Sequence, residues 1–285
     1  MPIKKIYPPL QAILAAILFG ASTPLAKLLL GEMDSMMLAA LLYLGSGLGI
    51  ALLIAYQKYI VRSTPAEAQI RRADLPWLLG AIITGGVAAP IILLYGLKNS
   101  SAASASLLLN FEGTATVLIA ALVFKEAVGQ RTAAAITLIT LAGILLSWNP
   151  SAEWGFSLGT LGIVGACILW GLDNNFTRNI STKNPLVIVA IKGLGAGIGS
   201  LLMAFLLGKP IPGITQILLG ALLGFICYGL SIVLFILALR NLGAARTSTL
   251  FGIAPFVGML ISMAIFREIP QGLFLFSIPL MGFGA

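Results

Sequence analysis

Apolar residues run in long blocks along this chain, and the breaks between them are short and carry Pro, Gly or charge. About 20 apolar residues take a helix across a bilayer. On that measure the blocks predict helices at 10–31, 35–57, 75–98, 102–124, 131–147, 156–180, 185–207, 214–239, 245–266 and 271–285. The one long connection runs from Lys58 to Asp74 and holds Arg62, Glu67, Arg71 and Arg72, so no soluble domain fits between the blocks. Lys4 and Lys5 precede a first block long enough to span, which reads as a membrane helix rather than a cleaved signal. The last block, 15 residues, reaches only ~22 Å at a helical rise, short of a ~30 Å hydrocarbon core. Either the natural chain continues past Ala285 or this helix does not cross.

Composition agrees with the pattern. Of 285 residues, 59% are hydrophobic and 9% charged, against ~25% charged in a soluble domain. Too little polar material is present to coat a soluble fold, so lipid is the expected solvent and the expected class is an all-α membrane protein of ten transmembrane helices. Two Cys and no His exclude a disulfide framework and leave too few soft ligands for a zinc site. The net charge of +8 does not point to nucleic acid, because the basic residues are spread between apolar blocks, where topology is set. With the N-terminus inside, the inner segments hold Lys4, Lys5, Lys58, Arg62, Arg71, Arg72, Lys125, Arg131, Arg178, Lys183, Arg240 and Arg246. The outer ends hold only Lys27, Lys98, Lys209 and Arg267. Both termini are therefore expected in the cytoplasm, and the membrane to be of the bacterial inner or plasma type.

The chain also repeats itself. Gly96–Glu126 aligns without gaps to Ala238–Glu268, with ten identities in 31 positions, where unrelated apolar helices would share roughly three. Asn99 matches Asn241, Ser106 matches Ser248, Phe124 matches Phe266 and Glu126 matches Glu268, while Lys98 corresponds to Arg240. A weaker match pairs ILFGASTPLAK from Ile17 with ILWGLDNNFTR from Ile168. Two halves result, 1–149 and 150–285, each of five helices. Five is odd, so the second half must enter from the opposite side. Such inverted repeats place a binding site between the halves near the midplane, and exchange of their conformations gives alternating access.

Two halves of five helices, each with a Leu-Lys/Arg-Asn turn (Leu97-Lys98-Asn99, Leu239-Arg240-Asn241), an Ala/Ser-rich helix and a terminal Phe-Lys/Arg-Glu, resemble the drug/metabolite transporter superfamily. Within it the likeness is to the EamA-type transporters and covers essentially the whole chain. The resemblance implies a basket of ten helices around a central cavity. It also implies movement of small polar or amphipathic metabolites, often amino acids, usually outward. The second repeat has the family's proline, Pro255, midway along its helix; the first has Gly113 there, preceded by Glu112.

Ionisable groups inside the membrane are the informative ones, at ~2.5–3.5 kcal/mol each on insertion scales. Glu112, beside Asn110, is the deepest acid and reads as a proton or substrate-amine site, with polar glue between helices as the structural reading. Asp173, followed by Asn174, and Lys192 lie at matching distances from the turn between neighbouring helices. That placement predicts an ion pair, serving structure, an inner gate or a clamp on a zwitterion. Pro24, Pro90 and Pro255 each free a carbonyl one turn back, and read as kinks and hinge candidates. Phe19, Tyr95, Phe111, Trp170 and Tyr228 are mid-helix aromatics able to wall a pocket, Phe19 and Trp170 being repeat counterparts. Trp77, Trp148 and Trp154 read as interface anchors. Gly193–Gly199 reads as a close-packing surface and not a phosphate loop. Glu126 and Glu268 read as first-turn helix residues.

Neither a Walker motif nor a nucleophile–base constellation is present, so direct ATP drive, an enzyme and a resident cofactor are not expected. The expected function is secondary transport by alternating access, exporting amino acids or similar metabolites with a coupling proton. The expected partners are a small-molecule substrate and the lipid bilayer. Efflux of cationic compounds with Glu112 as counter-charge, and a facilitator without ion coupling, are the alternatives.

Overall fold

A long apolar helix is stable wherever its ends are capped and its small residues let a neighbour approach, and both devices recur in this chain. The computed structural model describes residues 7–62, 68–125, 129–147, 157–242, 247, 250–267 and 273–284. Lys4, Lys5, Glu67, Glu126, Trp148, Trp154, Arg246, Ser248 and Glu268 lie outside them. Among the described residues there is no β-strand, and helices fall in each of the ten predicted blocks.

Helix α1 is Pro8–Leu29 and opens on a proline whose missing N–H falls where a helix start leaves donors orphaned. Helix α2 is Ser35–Tyr59, capped by Asp34, whose side chain accepts from the Met36 N–H at 2.9 Å. Helix α3 runs through Leu75–Ala81, a π-helical turn at Ile82–Ala88, and Ala89–Lys98. The block at 102–124 is not continuous. It forms α4 (Ala102–Leu108) and α5 (Phe111–Phe124), separated by a turn at Leu109–Asn110. Helix α6 is Gln130–Ser147, α7 is Leu158–Ile180 and α8 is Pro185–Leu206. Asn184 caps α8 by accepting from the Leu186 N–H at 3.0 Å, as Asp34 caps α2. Helix α9 runs through Ile214–Leu223, a second π-helical turn at Gly224–Leu230, and Ser231–Leu242. Helix α10 is Ala254–Phe266 and α11 is Leu273–Gly284. Among the described residues, six helical stretches are long and apolar enough to cross a membrane, in α1, α2, α3, α4–α5, α8 and α9.

The local irregularities repeat at the spacing that relates Asn99 to Asn241. Both π turns obey it, Ile82–Ala88 matching Gly224–Leu230. So do Lys125 and Arg267, the left-handed residues that end α5 and α10 at φ 54° and 53°. Asn99 donates its side-chain amide to the Tyr95 carbonyl at 2.8 Å, and Asn241 to the Leu237 carbonyl at 2.7 Å.

The most extensive packing is between α2 and α8. A Cβ on Gly193 would lie 2.6 Å from the Gly47 nitrogen, while Gly197 packs against Leu44. Rising numbers along α8 meet falling numbers along α2, so the two helices run antiparallel. Around them the contacts are reciprocal: α1 packs on α10 as α7 packs on α5, and α1 on α9 as α7 on α3. The central apolar cluster joins Leu38, Leu42, Leu93, Leu94, Ile163 and Trp170 from these helices. Helices α6 and α11 pack on each other and meet the rest through Ala103, Leu107 and Met259.

Contacts between loops hold each face of the bundle. Lys183 pairs with Asp74 at 3.2 Å, and the Asn184 N–H donates to the Ala68 carbonyl. On the other face Lys209 pairs with Asp34 at 3.2 Å and Gln216 donates to Glu32 at 2.8 Å. There Lys27 also donates to the carbonyls of Leu97, Lys98 and Ser100 at the end of α3, where a helix C-terminus favours a cation. Each contact joins segments that the charge count assigns to one side.

Candidate functional site

A carboxylate in an apolar bundle needs donors, and Glu112 takes its donor from a neighbouring helix. Glu112 sits in the first turn of α5, directly after the turn at Leu109–Asn110. Its Oε1 accepts from the Asn174 amide of α7 at 2.9 Å, and the same amide lies 3.1 Å from Thr116 Oγ1. Asn175 donates to the Thr116 carbonyl at 3.1 Å and to the Gly171 carbonyl at 2.8 Å. Three consecutive polar residues of α7 thus divide the work. Asn174 reaches the acid, Asn175 ties α7 to α5, and Asp173 turns to α8.

Asp173 and Lys192 form an ion pair, as their placement predicts, with both side chains largely buried. Thr177 Oγ1 donates to the other Asp173 oxygen at 2.9 Å. The pair therefore meets the condition for tolerating buried charge: an opposite partner and additional hydrogen bonds. It packs against the glycine face of the π turn in α3, since a side chain on Gly85 would collide with the Asp173 carboxylate.

The aromatic candidates separate. Phe19, Trp170 and Tyr228 come together, with ring centroids 6.2 Å (Phe19–Trp170) and 6.0 Å (Phe19–Tyr228) apart. Phe251 lies 5.5 Å from Phe19, and Tyr43 lies 5.6 Å from Tyr228. The Trp170 indole donates to the Gly85 carbonyl at 3.0 Å and the Tyr43 hydroxyl to the same oxygen at 2.7 Å. Tyr95 is not part of this cluster. Its side chain is 63% exposed and lines a separate cleft with Asp34, Ser35, Met36, Ile91, Ile92 and Lys209. Tyr95 stands in the last turn of α3, near the helix end and on an outer face, and not at mid-helix. Asn110 is buried, with its amide nitrogen unpartnered by protein, and does not join Glu112 and Asn174.

The prolines also differ from one another. Pro24 lies inside α1 and is buried. Pro90 follows the π turn of α3, and the carbonyl left free there is taken by Tyr43 and Trp170. Pro255 is not mid-helix. It stands in the first turn of α10, where the missing N–H costs no helical bond. Sequence reasoning missed Tyr43, Gly85, Thr116 and Phe251. Only the GGVAAP run ending at Pro90 carried a signal for any of them.

Comparison with known proteins finds two matched segments in the chain. The profile of the EamA-like transporter family matches residues 8–148 and again residues 157–285. A protein described as an uncharacterized transporter from Methanothermobacter thermautotrophicus is 27% identical, over 93% of this chain and 81% of its own length. A protein solved by crystallography superposes with a TM-score of 0.68 at 20% identity, covering 97% of this chain and 94% of its own. That likeness is one of fold.

Proposed function

The chain belongs to the EamA-like transporter family, and on that premise we propose a secondary transporter that alternates access between two five-helix halves, 1–149 and 150–285. The halves are read as inverted repeats about a two-fold axis in the membrane plane. Three features support this. The counterpart helices α2 and α8 run antiparallel across a central glycine contact. Each half packs its helices on the other in reciprocal pairs. The π turns and left-handed helix ends recur at one spacing. Exchange of the two halves' conformations is the general route by which such repeats alternate.

The substrate is read as an amino acid or a similar small amine-bearing metabolite, carried outward. The observation that carries this is the Glu112–Asn174 contact beside the Phe19–Trp170–Tyr228 wall. Glu112 is held by a neutral amide, and the nearest buried cation, Lys192, is engaged by Asp173. The Glu112 charge is therefore available to an ammonium group or to a proton, one at a time, which is the elementary step of antiport. Asn174 is exposed, whereas Thr23, its repeat counterpart, is 3% exposed. That asymmetry supports a state closed toward the Thr23 side and open toward the Asn174 side. The basic-residue count assigns the Asn174 side to the cytoplasm, with both termini, in a membrane of the bacterial inner or plasma type.

Flux into proteoliposomes from a panel of amino acids and organic cations, with and without an imposed pH gradient, tests the reading. Amino-acid flux that follows the proton gradient is the expected result. Absence of flux for every amine at every gradient overturns it. Flux of aromatic cations alone favours efflux of cationic compounds, for which the aromatic wall beside an acid is also suited. Flux that ignores the gradient makes the protein a facilitator.

A further inference from the structure

The π turn of α3 leaves the Gly85 carbonyl without a backbone donor. In an α-helix the Gly85 carbonyl would accept from Ala89, but the Ala89 N–H goes to Thr84, one residue further back. In the π register the donor would be residue 90, and Pro90 has no N–H. A bare carbonyl buried in a membrane bundle is costly. Here it is taken by two side chains, Tyr43 from α2 at 2.7 Å and Trp170 from α7 at 3.0 Å, both 5% exposed.

The second half contains the same turn without this arrangement. At Gly224–Leu230 the residue in the place of Pro90 is Ile232, which keeps its N–H. Counted from the caps Asp34 and Asn184, the place of Tyr43 is held by Gly193; that of Trp170 is held by Phe19. Neither Gly193 nor Phe19 has a side-chain donor. The proline that withholds a donor and the two side chains that replace it thus occur together in one half and are absent together from the other. A kink formed for bending alone would not require that correlation.

We propose that the Gly85 carbonyl, freed by Pro90, is a positioning anchor that fixes the Trp170 ring and the Tyr43 hydroxyl. In this role Gly85 and Pro90 act through Trp170 and do not themselves touch substrate. That Trp170 faces a substrate rests on the transport reading above; the anchor does not, and its test needs no substrate.

The test uses the full chain in lipid nanodiscs with Trp77, Trp148 and Trp154 changed to Phe, so that Trp170 is the sole indole. Ultraviolet resonance Raman reads the indole N–H hydrogen bond directly. In Pro90→Ala the Gly85 carbonyl gains a backbone donor in either register: the new N–H at position 90 if the π turn persists, the Ala89 N–H if the turn relaxes to an α-helix. A carbonyl has two lone pairs, so three donors compete and the longer bond, from the indole, is displaced. The expected result is a shift of the indole band to its non-hydrogen-bonded position in Pro90→Ala. Adding Tyr43→Phe to that variant vacates a lone pair, and the band returns. Pro24→Ala leaves the band where it started. An unshifted band in Pro90→Ala overturns the anchor, and so does a shift that Tyr43→Phe fails to reverse.

Discussion

Lys183 holds Asp74 at 3.2 Å on one face of the bundle. On the opposite face Gln216, the repeat counterpart of Asp74, holds Glu32 at 2.8 Å, and Glu32 lies in the α1–α2 turn as Lys183 lies in the α7–α8 turn. Both struts are formed in one conformation. If the second conformation is the first with the halves exchanged, each strut takes the geometry of the other and neither opens. Cysteine pairs at Asp74/Lys183 and at Glu32/Gln216, cross-linked separately, are therefore expected to leave transport within about two-fold of the uncross-linked protein. Oxidised proteoliposomes compared before and after reduction give the measurement. A cross-link that stops flux would make that strut a gate.

Removing one partner of the Asp173–Lys192 pair strands the other in an apolar bundle. Breaking a buried pair typically costs about 3–5 kcal/mol, more than replacing both members together. Asp173→Asn and Lys192→Met are each expected to lower folded yield and thermal stability, with the double variant recovering most of the loss. Fluorescence-detected size exclusion after heating ranks the three. Additive losses would mean that the two residues do not depend on each other.

Glycine positions divide sharply by what faces them. Gly193 packs on the Gly47 backbone at the centre of the α2–α8 contact, where nothing flexible can give way, whereas nothing lies within 4 Å of a Cβ on Gly113. Gly193→Ala is expected to cost about 1–3 kcal/mol by overpacking. Gly113→Ala, in open space within a helix, is expected to be neutral or slightly stabilising. Melting temperatures in detergent compare them, and equal values would be inconsistent with the close crossing.

The helices were legible because a membrane span must be apolar along its length, and the break residues stand out against that background. The Asp173–Lys192 pair was legible because two helices joined by a short turn must bring residues at equal depth together. Azimuth was not legible. A helix apolar all round carries little information about which face meets protein, so Tyr95 and Tyr228 looked alike although one is exposed and the other buried. The turn at Leu109–Asn110 was hidden because its neighbours are good membrane-helix formers. The Glu112–Asn174 contact joins residues far apart in sequence, and the internal repeat gives no hint of it, since their counterparts are Ala254 and Thr23.

Glu112 lies midway along the α4–α5 block, and its carboxylate accepts from the Asn174 amide, which also donates to Thr116 Oγ1. An amide in place of the acid preserves size and one accepting oxygen, so Glu112→Gln keeps a partner for Asn174 and is expected to express and fold as the parent does. What it loses is the ability to alternate between a bound proton and a bound ammonium group. A transporter that moves protons through this group must then lose gradient-driven flux, while substrate exchange that moves no net proton persists at a reduced or altered affinity. Counterflow and pH-driven uptake measured on the same proteoliposomes separate the two. Loss of pH-driven uptake by at least ten-fold with counterflow retained is the expected outcome. If Glu112→Gln responds to every imposed pH gradient as the parent does, the acid only ties α5 to α7, and any coupling group must be sought elsewhere in the chain.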